Sequence, residues 1–361
     1  MLLKIMGLLL LFGLSSAFCA VFIEFMRKKN INISAYRLKY DLYIYSFALF
    51  FALCALVRHF FPFANDAVYA VSSFQFYVPF ICSFLLYLLF LLEMPTLLNA
   101  AVVVFSFLCV YLIKTNNALI FGDIFPLWVE NLIVGFFLVL FVFGLRLLNR
   151  VYAVFSTYML FSCLAMVCLC LAGALPFVLA PMMCLWAGFF AALMQTNFHG
   201  NQFDINDGGV VSSSFLLGCV FVFCANELAE SAVWILALYP LSELFWSLTR
   251  RYVLLKKSAR LSDQAIYVSV LSRDFPLETL ISNLIKLFVA TAALALFQLY
   301  CPNVYSILII AIVLNVWLLS KLYRFDEVKP TFKQINADLS ENIKDEVRKA
   351  RKTLHTKEGK R

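Results

Sequence analysis

Residues 131–148 read NLIVGFFLVLFVFGLRLL, and from Leu132 to Leu145 no polar side chain interrupts them. A helix of about 20 such residues is about 30 Å long, the thickness of a bilayer's hydrocarbon core. Strict alternation, the mark of a barrel strand, is absent. The next run, 151–172, is just as apolar, and Asn149 and Arg150 divide the two. Working outward in both directions, similar runs occupy 3–26, 42–61, 70–92, 97–113, 176–196, 209–226, 231–249, 281–300 and 303–321. The expectation is an all-α, polytopic integral membrane protein of about eleven transmembrane helices.

Composition agrees with that count. The 361 residues are 63% hydrophobic and 14% charged, whereas a soluble domain is about half apolar and a quarter charged. The net charge of +8 does not point to nucleic acid, because the cations are confined to a few loops and one tail. Alternating through eleven spans from an outside N-terminus puts all but three of the 29 Lys and Arg on one side, the exceptions being Lys4, Arg58 and Lys114. Arg146, Arg150 and Lys286 belong to that majority side in this reading. Such asymmetry marks the cytoplasmic face. The N-terminus is therefore expected outside and the C-terminus in the cytoplasm. The first run resembles a signal peptide only in part, since Arg27, Lys28 and Lys29 follow it instead of preceding it. An uncleaved helix is expected. The 11 cysteines lie mostly inside apolar runs with no CxxC pair, and read as small apolar fillers. Two units are expected: a membrane domain over 1–325 and a charged cytoplasmic tail over 326–361, solvated or touching anionic lipid.

Chemistry at a membrane needs polar groups near helix ends on one side. Apart from the basic loops and tail, the longest polar interruption on the cytoplasmic side is 197–209, NFHGNQFDINDGG. It holds Asp204, Asp207 and His199, and Gly208 and Gly209 open the next helix. Backbone at glycines can approach a ligand closely. The N–H groups of a helix start favour an anion such as phosphate. An Asp beside them can hold Mg²⁺, which prefers carboxylate oxygens and substrate phosphates. The same residues also read as a plain turn between two helices. Glu243 lies two helical turns before Arg250, at a depth where an acid pairs with a cation or lines a polar cavity.

Residues 203–218, FDINDGGVVSSSFLLG, resemble a signature of the polyprenyl-phosphate N-acetylhexosamine-1-phosphate transferases, membrane proteins that start bacterial glycan assembly. Tyr239-Pro-Leu-Ser-Glu243, followed by the double Arg250-Arg251, is similar to that family's next conserved helix. The likeness covers about 180–275, with helix number and orientation agreeing elsewhere. Three places depart from the family. Leu92-Glu93-Met94 stands where the family has an Asp-Asp pair. Asn149 alone survives of an Asn- and Asp-rich signature. Residues 263–269 lack the family's histidines.

The resemblance implies transfer of a sugar-1-phosphate from a UDP-sugar to polyprenyl (undecaprenyl) phosphate with release of UMP. It also implies Mg²⁺ as cofactor, a bacterial inner-membrane location, and a possible homodimer. Asp207 would hold the metal, with Glu93 or Asp204 replacing the lost acids. Asn149, Gly208, Gly209, Arg250, Arg251 and Lys256 would meet phosphates, and Glu243 and His199 would line the cavity. A catalytically inactive member, or a carrier or export component for lipid-linked glycans, remains open beside this expectation.

Overall fold

The computed structural model describes residues 2–28, 73–113, 125–149, 153–175, 177, 179–198, 205–225, 230–249, 277–298 and 309–317. Among them are helices α1 (Leu2–Lys28), α2 (Ser73–Leu91), α3 (Pro95–Ile113), α4 (Leu127–Leu148), α5 (Val154–Leu171), α6 (Leu179–Phe198), α7 (Asp207–Ala225), α8 (Glu230–Thr249) and α9 (Leu277–Phe297). Residues 309–317 are also helical, and there is no strand among the described residues. Seven helices, α1 and α3–α8, are long and apolar enough to cross a membrane. Shorter apolar helices occupy Tyr77–Leu91 and Ile281–Phe297. The expected span at 42–61 and the tail at 326–361 lie outside the described residues.

The sequence explains why these helices sort into core and rim. α5 is apolar all round and is buried along nearly its whole length, as such a helix must be. α1, by contrast, turns Leu9, Leu10, Leu14 and Val21 outward. Ile81, Val104, Tyr111 and Phe136 do the same on α2, α3 and α4. That much exposed apolar surface would aggregate in water; against lipid chains it is solvated. α1 packs on α6, α6 on α5, and α9 on α5 and α8. On the other side α7 receives α2, α3 and α4. Two apolar cores result, one around α5 and α6 and a second among α2, α3, α4 and α7.

Small residues permit the close crossings, as is usual between membrane helices. A Cβ at Gly144 of α4 would lie 2.6 Å from the carbonyl oxygen of Pro240 in α8. α5 ends on Gly173, whose φ of 80° is left-handed. Ala174 N–H then donates to the Leu169 carbonyl and Gly173 N–H to the Cys170 carbonyl, the double bond that closes a helix on a glycine. The joint between the two longest apolar runs is a real break: α4 ends at Leu148 and Ala153 takes φ 66° before α5 begins. Thr157 Oγ1 donates to the Ala153 carbonyl at 2.6 Å and closes the new helix start.

Pair contacts give the relative directions. Ser15 of α1 meets Leu185 of α6, while Lys4 lies over Phe177 at the start of α6, so these two helices are parallel. α4 and α8 are parallel too, with Phe137 on Trp234 and Gly144 on Pro240. α2 and α7 are antiparallel, with Phe90 on Gly208 and Ser83 on Ser212. The start of α1 therefore lies at the end of the bundle away from Asp207. α1 and α2 run in the same direction, as the expected alternation has them. α9 begins at Leu277, earlier than the expected 281, so Lys286 stands on an exposed face inside this helix and not in a loop.

Candidate functional site

Four helix ends meet around Asp207. α7 starts there because Asn206 caps it: Asn206 Oδ1 accepts the Gly209 N–H at 2.7 Å, and the Asn206 carbonyl accepts the Val210 N–H at 3.0 Å. Asparagine suits this position because its side chain replaces a missing helical acceptor. Asp207 is the first helical residue, where a negative charge is favoured by the helix dipole. The next residue must be small, since a Cβ at Gly208 would run into the ring of Phe90 from α2. Gly209 thus serves the cap, and Gly208 admits a close helix–helix contact.

The charge opposite Asp207 comes from α4. Arg146 lies in the last turn of that helix, where a cation complements the carbonyl end of the dipole. Its Nη2 donates to Asp207 Oδ2 at 3.1 Å and its Nη1 to Asn99 Oδ1 at 3.2 Å. The side chains are 16% exposed for Arg146 and 28% for Asp207. One turn on, Asn149 caps α4 and its Nδ2 donates to the Ile205 carbonyl at 3.3 Å, tying the end of α4 to the approach to α7. Asn99 belongs to α3, so the network joins α3, α4 and α7 at one end of the bundle.

Glu93 stands at the same end. The turn between α2 and α3 places it at φ 58°, with its N–H donated to the Phe90 carbonyl at 3.0 Å. Phe90 is also the ring that covers Gly208, so the Glu93 turn and the Asp207 turn share a neighbour. Glu93 is exposed. A left-handed non-glycine residue stores about 1–2 kcal/mol and is retained where its surroundings hold it.

The site residues expected from sequence therefore divide. Asp207, Gly208, Gly209 and Asn149 come together, and Glu93 lies on the same end. Glu243 is elsewhere. It is buried inside α8, with Tyr239 Oη donating to its Oε1 at 3.2 Å, and Tyr239 packs edge-on to Phe288 of α9. His199, Asp204, Arg250, Arg251 and Lys256 lie outside the described residues. Sequence reasoning missed Arg146 and Asn99 as site residues: Arg146 served only as an orientation charge. An arginine a few residues inside an apolar run needs a counter-charge, and that signal was available. It also missed Glu130, which is fully buried in the first turn of α4 at the opposite end of that helix.

Among the described residues, no three His, Cys, Asp or Glu side chains gather into a cage for a metal. The arrangement offers one carboxylate oxygen, Asp207 Oδ1, that takes no hydrogen bond from the described residues. A magnesium ion is commonly held by one or two carboxylates, completed by waters and substrate phosphates. The donor set fits an ion that arrives with a diphosphate, not a dedicated protein cage. No family model matches the chain, and no curated protein matches it.

Proposed function

We propose that the Asp207 end of the bundle is the cytoplasmic active site of a transferase that moves a sugar-1-phosphate from a UDP-sugar to polyprenyl phosphate. The observation that carries this reading is the position of Asp207. It is a partly exposed carboxylate at a helix start, joined by Arg146, Asn99 and Asn149 from two other helices. Catalysis here is mostly placement and charge neutralisation. Asp207 Oδ1 holds the metal-bound diphosphate of the donor. Glu93, on the exposed turn beside it, supplies the second acid near the incoming lipid phosphate. The outward apolar faces of α2 and α3 (Ile81, Phe84, Leu85 and Val104) lie against lipid, where a prenyl chain travels. When bound, Mg²⁺ would offset charge on the diphosphate as UMP departs. The cytoplasmic orientation rests on the distribution of Lys and Arg, and the described helix directions run in keeping with it.

The test is UMP release by purified protein given a UDP-sugar, Mg²⁺ and polyprenyl phosphate. Release that needs all three is expected. No release with any of a panel of UDP-sugars would overturn the assignment.

A second reading is favoured by one specific contact. Arg146 already neutralises Asp207, as a purely structural pair inside a membrane bundle would. In that case the chain binds or carries a lipid-linked glycan without reacting it, and UMP release is absent while lipid binding persists.

A further inference from the structure

Arg146 is the most heavily engaged cation among the described residues, and its engagement defines its role. Both terminal nitrogens are directed at protein oxygens, Nη1 at Asn99 and Nη2 at Asp207. The third nitrogen, Nε, is buried and has no hydrogen-bond partner. An arginine that receives substrate phosphate presents its paired donors to the ligand; this one presents them to the protein. Its single contact to Asp207 falls on Oδ2 alone. The carboxylate is thereby held with its other oxygen, Oδ1, clear of described donors, and the side chain remains more exposed than the arginine that holds it.

We propose that Arg146 is the positioning residue for Asp207, anchored by Asn99, and that it fixes the carboxylate so that Oδ1 meets a divalent cation. The proposal rests on the reading of Asp207 as a metal ligand given above. Groups behind a metal ligand set its orientation, and their removal costs about 10- to 100-fold in metal affinity. Asn99 matters because it holds one arm of the guanidinium while the other arm holds Asp207. Lysine at 146 can satisfy Asp207 as a point charge but cannot hold both oxygens in a planar fork.

The experiment titrates Mn²⁺ into the purified full chain without substrate and reads free Mn²⁺ by electron paramagnetic resonance. Wild type, Arg146→Met, Arg146→Lys, Asn99→Ala and Asp207→Asn are compared, with folding checked by thermal unfolding. The Mn²⁺ concentration for half-occupancy is expected to rise about tenfold or more in Arg146→Met. Arg146→Lys and Asn99→Ala should show smaller rises in the same direction. Wild-type affinity in a folded Arg146→Met or in Asn99→Ala would overturn the proposal. Tighter binding in Arg146→Met would overturn it too, by showing that Arg146 competes with the metal for Asp207. Wild-type affinity in Asp207→Asn would remove the metal-ligand reading itself. Mn²⁺ binding through Asp207 without UMP release would leave the positioning role standing and remove the transferase.

Discussion

Asp207 stands at the first turn of α7, 28% exposed, with a guanidinium nitrogen 3.1 Å from one oxygen. Glu243 lies inside α8 with no exposure, and the hydroxyl of Tyr239, one turn earlier, donates to it at 3.2 Å. Gly144 against Pro240 puts Glu243 about level with Arg146, so the two acids differ little in depth. They differ in surroundings. Asp207 lies where four helix ends part and solvent enters. Glu243 faces the packed aromatics of α5 and α9, with Tyr239 and Tyr158 both edge-on to Phe288. An acid near a membrane surface is therefore not a ligand by depth alone; access decides, and only Asp207 has it.

The widest separation between the two acids should appear in turnover. Asp207→Asn keeps the shape and removes the charge, and UMP release is expected to fall about 10²- to 10³-fold, the usual cost of losing one charge-stabilising group. Glu243→Gln in the same assay should stay within about threefold, since nothing there reaches a diphosphate. Equal losses in both variants would erase the distinction.

In stability the order is set by what each change leaves behind. Arg146→Met leaves Asp207 and Asn99 without their donor. Thermal or denaturant unfolding should show a loss of about 2 kcal/mol, below the range for a fully buried pair because both side chains retain some solvent. Tyr239→Phe removes the donor to a fully buried carboxylate and should cost about 1–2 kcal/mol with UMP release unchanged. Asn206→Ala loses the cap on Gly209 and should cost about 1 kcal/mol. Because that cap sets the first turn of α7, it should also weaken Mn²⁺ binding, which the Tyr239 change should not.

Much of the architecture was legible because membrane spans are written in long runs that a 1.5 Å rise converts directly into thickness. The run at 131–148 became α4, and Asn149 with the chain after it became a true break. The Asn-Asp-Gly-Gly turn was found as a helix start, and Asp207 and Asn149 were correctly placed on one end. What sequence could not supply was pairing between helices. Arg146 is 61 residues from Asp207 and 47 from Asn99, and no local pattern links them. Gly208 and Gly209 read as open backbone; one is covered by Phe90 and the other completes a cap, because neighbouring helices and Asn206 fill the space that the glycines leave. Glu130 was passed over because it sits just before the run that defined α4.

The most direct measurement is equilibrium binding of UDP to the purified protein, with and without Mg²⁺, in wild type and in folded Asp207→Asn. A diphosphate held through a metal on Asp207 predicts binding that appears with Mg²⁺ and is lost in the variant. UDP that binds equally well without Mg²⁺, or equally well to Asp207→Asn, or not at all to wild type, would contradict it.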